Sequence, residues 1–266
     1  MHLYFLIFHL IFSYHCFSYD QFIPNNDSEW IKTNHSWDAV RLRNQLRKTP
    51  KDNTLLLQLI HKYINLNRIV KAKHFLKMAK NRRINSYYLL LLEGMILNRE
   101  SRVSPKARKL LYSALLKSEQ TQAIYYIEYL ECLFREKRLK KGIYWNRLAM
   151  KLFPRNLVLM QMYARFWFYS GHTKEAETTL LRVFEHNDGL ASVNFNLSLV
   201  YAKLRQHDAC IRYLKLAAFA GFSKKDLLSL NREFNFVHEH PQFLLALDKI
   251  LLNYVDFQQK YRFKKI

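Results

Sequence analysis

Five apolar runs of helical length recur along the chain: LLQLIHKYIN (56–65), LLLEGMILNR (90–99), YYIEYLECLF (125–134), LMQMYARFWF (159–168) and NFNLSLVYAK (194–203). A short polar or basic turn follows each, and then a second segment with apolar positions at helical spacing. SGHTKEAETTLLRVFEHND (170–188) is one example: a turn, a helix and a stop. In that segment Ala176 is followed by Leu180 at i+4 and Val183 at i+7, one face of a helix. The same order stands 34–35 residues away in either direction, as Ala72-Leu76-Ala79, Ala107-Leu111-Ala114, Gly142-Asn146-Ala149 and Cys210-Leu214-Ala217. A small residue at a fixed place in every second helix lets it press against the first, and larger ones fill the layer between units. The pattern predicts helix–turn–helix units starting at Asn53, Tyr87, Ala123, Leu157 and Ala191, stacked so that each buries its neighbour's apolar face.

The period, the small positions and the alternation resemble the tetratricopeptide repeat family over residues 53 to 222. Gly94, Asn196-Leu197-Ser198, Tyr63 and Tyr201 in first helices, and Pro154 closing a unit carry the resemblance further. Gly142 and Cys210 replace the usual alanine, Asn146 breaks the bulky position, and the tryptophan near the unit start is absent, so the repeats are degenerate. The resemblance implies an all-α fold, a right-handed α-solenoid of about five units with capping helices. Residues 19–52 read as a linker and a capping helix with Ser36 as N-cap candidate and Pro50 as stop. Residues 223–266 read as closing helices, His240-Pro241 preceding the last, with a basic tail.

The first charged side chain is Asp20, and residues 3–17 form an apolar stretch shorter than a spanning helix requires. Residues 1–18 therefore read as an export signal, cleaved after Ser18 or kept as an anchor, which places the array at a cell envelope, periplasmic or membrane-associated. The alternative is a first helix packed on a cytoplasmic domain. Three cysteines in no metal or redox spacing imply no disulfide framework. Only 5 Gly and 5 Pro argue against turn-rich β folds and glycine-loop α/β folds.

Charge changes the picture most. The net charge is +22, and residues 51–150 hold 21 basic against 7 acidic side chains. Such a balance attracts acidic partners. The resemblance implies that first helices line a concave groove for a peptide. In the register above, Asn65, Arg99, Arg135, Tyr169 and Lys203 share the thirteenth position, Arg165 takes a ninth, and Phe134 and Phe168 take twelfth positions. Guanidinium forks suit carboxylates and rings supply apolar anchors. These eight residues predict capture of an acidic or amphipathic segment of another protein. The plainer reading is that cations at helix ends only complement the helix dipole. The asparagine-and-lysine clamp of chaperone-binding members is not reproduced.

A second basic surface falls on the second helices: Lys71, Lys73, Lys77, Lys80, Lys106, Arg108, Lys109, Lys140, Lys141 and Arg147. It suits anionic lipid or polymer, or RNA phosphates, although no base-stacking motif accompanies it. No HExxH, GxSxG, phosphate-cradling glycine loop or CxxC stands in the chain, and the carboxylates are dispersed. His238-Glu239-His240 places two histidines two apart, where they do not share a helix face. The expectation is a non-catalytic scaffold without cofactor or metal, in an envelope secretion or pilus-like assembly. The alternative is a cytosolic RNA-binding array.

Overall fold

The computed structural model describes residues 29–100, 103–223 and 232–262. The export-signal reading of residues 1–18 lies outside them. The described chain is helical throughout: α1 (Glu29–Lys48), α2 (Asn53–Asn65), α3 (Ile69–Asn81), α4 (Tyr87–Glu100), α5 (Pro105–Lys117), α6 (Ala123–Arg135), α7 (Leu139–Leu152), α8 (Leu157–Tyr169), α9 (Thr173–His186), α10 (Ala191–Lys203), α11 (His207–Phe219), a 3-10 turn (Arg232–Val237) and α12 (Pro241–Arg262). The pairs α2–α3 to α10–α11 are five units, and their first helices start where the repeat register puts them. Each helix packs on the next, and the first helices α2, α4, α6 and α8 also touch in series, which sets them on the inner side of an α-solenoid with the second helices outside.

Local chemistry fixes the boundaries. The side chains of Asp52, Ser104 and Asn156 accept the amides of Leu55, Ala107 and Leu159 at 3.0, 3.1 and 3.0 Å, capping α2, α5 and α8. Gly171 (φ 86°) and Gly221 (φ 88°) take the left-handed conformation that ends α8 and α11. The α1 boundary differs from expectation. The helix begins at Glu29, so Ser36 lies inside it rather than at its cap. No glycine or proline separates Glu29 from Ser36, and nothing there breaks the backbone hydrogen-bond ladder.

The small positions are the contact points. Ala72, Ala107, Ala176, Cys210, Ala79, Ala114 and Ala149 are fully buried. Gly142 follows the same logic further, because a Cβ there would run into the Phe166 ring. In units one and five a first-helix tyrosine stacks on the second helix, Tyr63 on Phe75 with ring centroids 5.5 Å apart and Tyr201 on Tyr213 at 5.3 Å. The apolar interior forms two clusters that meet at α8. Leu159, Met162 and Phe166 belong to the first, and Ala164 and Phe168 to the second. Both cysteines of the described chain, Cys132 and Cys210, are buried, and burial pushes each thiol up to about 12. No described helix is long and apolar enough to cross a membrane.

Candidate partner-binding site

The first-helix ends bring the expected groove residues into one row, but most of their charge is already engaged. Arg135 at the end of α6 donates to the carbonyl oxygen of Asn98 at the end of α4. Lys203 at the end of α10 donates to the Phe168 carbonyl of α8 at 3.5 Å and stands 4.4 Å from the Phe168 ring centroid. In both cases a cation of one unit meets the partly negative helix end of the unit before it. Arg99 faces Glu128 of the next unit at 3.6 Å. Burial holds the Glu128 carboxyl above the usual carboxylate range, and the Arg99 charge opposes that shift.

Arg165 is the most enclosed cation of the set, 3% exposed. Its Nη1 donates to Glu131 Oε2 at 2.6 Å, and its guanidinium carbon lies 3.6 Å from the Phe134 ring centroid. Burial pushes its pKa below the ordinary arginine range, to about 9, leaving it charged at neutral pH. Phe134 in turn meets Phe166 and Tyr169 edge-on at 5.6 and 5.1 Å. Phe168 is buried, whereas Asn65, Phe134 and Tyr169 remain half-exposed. Arg165 and Phe168 therefore back the row, and Asn65, Arg99, Phe134, Arg135, Tyr169 and Lys203 form its accessible surface.

The basic stripe on the second helices divides in the same way. Lys73 pairs with Glu100 at 2.5 Å, Lys80 with Glu93 at 2.8 Å, Lys106 with Glu93 at 3.9 Å, and Arg108 with Glu136 at 2.7 Å. Lys71 stands 5.9 Å from the Tyr63 ring centroid. Among the described residues, Lys77, Lys109, Lys140, Lys141 and Arg147 are exposed and make no ion pair.

A cleft of about 830 Å³ opens between the turn of unit three and the turn of unit four. Lys137, Arg138, Lys140 and Lys141 border it on one side, Trp167, Tyr169 and His172 on the other. Of these residues the sequence reading singled out only Lys140, Lys141 and Tyr169 as binding candidates. The signal for the rest was Lys137-Arg138-Leu139-Lys140-Lys141, four cations in five residues across a turn. His238, in the His-Glu-His segment, is half-buried against Phe243 with ring centroids 5.3 Å apart, and burial lowers its pKa. No group of three or more metal-ligating side chains exists among the described residues.

No protein-family model matches the sequence, and no curated protein does so either. Solved structures match by shape. PilF of Pseudomonas aeruginosa superposes with a TM-score of 0.58 at 18% identity, over 78% of this chain and 97% of that one. A tetratricopeptide repeat protein from Parabacteroides merdae gives 0.59 at 14% identity, over 76% and 82%. A chain of the APC/C hetero-tetramer Cut9-Hcn1 gives 0.66 at 12% identity over 91% of this chain, which spans 49% of that one. The 34–35-residue period, the buried small positions, the five stacked helix pairs and these superpositions agree on one architecture: the chain has the tetratricopeptide-repeat fold.

Proposed function

We propose that this chain is a non-catalytic protein–protein interaction scaffold that holds an acidic or amphipathic segment of a partner along the ends of its first helices. The observation that carries this reading is the row of half-exposed Arg99, Phe134, Arg135, Tyr169 and Lys203 running across successive units. Cations beside rings suit a segment that alternates carboxylates with apolar side chains. Stacked units supply an extended surface for such a segment. The superposing chain of the Cut9-Hcn1 hetero-tetramer is itself part of an assembly, and an assembly role is in keeping with that. The apolar, charge-free start of the sequence supports export to the cell envelope, and we place the scaffold in a secretion or pilus-like assembly there.

The test uses a short fluorescein-labelled peptide of glutamates interrupted by phenylalanines, titrated with the full chain and followed by anisotropy. Arg135→Gln combined with Lys203→Gln should weaken binding about three- to tenfold, the effect of two partly exposed charges. Far-ultraviolet circular dichroism should stay unchanged. Peptide binding that ignores the pair refutes the groove. The intact mass and compartment of the protein from its native cells test the export part. A full-length mass in the cytosol removes it.

A further inference from the structure

Three cations left without an internal partner stand together at one place on the solenoid edge, the cleft between the turns of units three and four. Lys137 lies in the α6–α7 turn, and Lys140 and Lys141 lie in the first turn of α7. All three are exposed, and none of their side chains makes an ion pair or hydrogen bond among the described residues. The carboxylate beside them in the chain is occupied. Glu136 is shared by Arg108 and Arg138 at 2.7 and 2.8 Å, with its own side chain 4% exposed. On the facing side, Glu175 stands 3.7 Å from His172.

The opposite wall is aromatic for a reason legible in the repeat. Tyr63 and Tyr201 occupy the same first-helix position as Trp167, and each stacks on a ring twelve residues later, Phe75 or Tyr213. The residue twelve after Trp167 is Thr179, so the indole has no such ring to stack on. It packs edge-on against Tyr163 and His172 instead, with centroids 5.6 and 5.0 Å apart, and lines the cleft beside Tyr169. An aromatic floor facing unpaired ammonium groups is complementary to a chain bearing carboxylates next to an apolar side chain.

We infer that this cleft seats the acidic stretch of the partner segment, with Lys137, Lys140 and Lys141 meeting carboxylates and Trp167 and Tyr169 covering an apolar side chain. The inference rests on the scaffold reading above and extends the recognition charge beyond the first-helix ends, where Arg99, Arg135, Arg165 and Lys203 are partly engaged within the fold. Tyr169 belongs to both surfaces, so a segment in the groove continues into the cleft.

The same labelled Glu/Phe peptide tests it. Lys140→Gln with Lys141→Gln should weaken binding about tenfold. Lys117→Gln with Lys151→Gln, an equal loss of charge from exposed positions at the far helix ends, should change it less than about twofold. Lys137→Gly should weaken binding and raise the melting temperature together, because Lys137 holds a φ of 57°, which glycine adopts without strain. A structural role alone would not move those two readouts in opposite directions. Equal losses from both lysine pairs mean that only net charge matters and overturn the cleft. Binding that responds to Arg135→Gln with Lys203→Gln but not to Lys140→Gln with Lys141→Gln leaves the groove standing and removes the cleft. Absence of any peptide binding removes both. Phosphatidylserine vesicles that sediment the protein through Lys140 and Lys141, with no peptide bound, overturn the proposal in favour of lipid.

Discussion

Gly142 stands where three other units have alanine and one has cysteine, because Phe166 fills the space a Cβ would need. Four residues on, Asn146 has no such neighbour to explain it. Its side chain is fully buried, and neither the amide nitrogen nor the oxygen finds a hydrogen-bond partner among the described residues. The equivalent positions are Leu76, Leu111, Leu180 and Leu214. Asn146→Leu should therefore stabilise the protein by about 1–3 kcal/mol, the cost of an unsatisfied buried polar group. A urea titration that shows a loss instead would mean the amide has a partner in solution. Glu128 is the second residue-scale case. Its carboxyl has a raised folded pKa, so the folded state holds a proton more tightly than the unfolded chain, and ionisation at high pH works against folding. Glu128→Gln should be more stable than the parent at pH 8. Its advantage should close as pH falls through the raised carboxyl value, read as the difference between two melting-temperature profiles. A gap that widens towards acid would mean that Arg99 dominates the site.

At the scale of the element, α8 is the unusual helix. It carries buried Gln161 and Arg165 among residues of both apolar clusters, at the join between units three and four. The Arg165–Glu131 pair crosses that join at 2.6 Å. Removing the arginine takes away this contact and its packing on Phe134, so Arg165→Met should cost about 2–4 kcal/mol, within or just below the range for a buried pair because Glu131 is about a third exposed. Arg165→Met with Glu131→Leu should recover part of that loss, measured as the coupling in a double-mutant cycle of chemical unfolding. Additive losses would show that the pair contributes nothing beyond its separate side chains. Arg135 and Lys203 act between elements in a second way, closing the carbonyl ends of α4 and α8. The dipole reading of the thirteenth position thus describes these two residues well, while their half-exposed faces stay available to a partner.

Across the whole molecule, the repeat makes a continuous core from units that could not bury one alone. The excess positive charge is then sorted by that stacking. Glutamates 93, 100, 128, 131 and 136 are drawn to cations of the same or adjoining units, and what is left over concentrates on the outer helices and at one edge. A net charge of +22 spread evenly would steer any polyanion without preference. Concentrated beside Trp167 and Tyr169, it gains a shape.

The sequence by itself determined the unit length, the starts of the five first helices and the contact positions. These follow from local periodicity and from the steric need for a small side chain where two helices touch, as at Ala72 or Ala176. Gly142 was legible as a departure, but its cause, Phe166, was not. The start of α1 was missed, because a capping side chain at Ser36 does not stop a helix that no breaker interrupts. The candidate site was legible as residue types and only half legible as a surface. Whether a given arginine is free depends on which carboxylate or carbonyl lies within reach roughly one repeat away, as Glu131 does for Arg165 and Asn98 for Arg135. That reach is set by how the units stack. Only the tertiary structure could bury Arg165, pair four of the ten stripe cations with glutamates, and leave Lys137, Lys140 and Lys141 facing an aromatic wall.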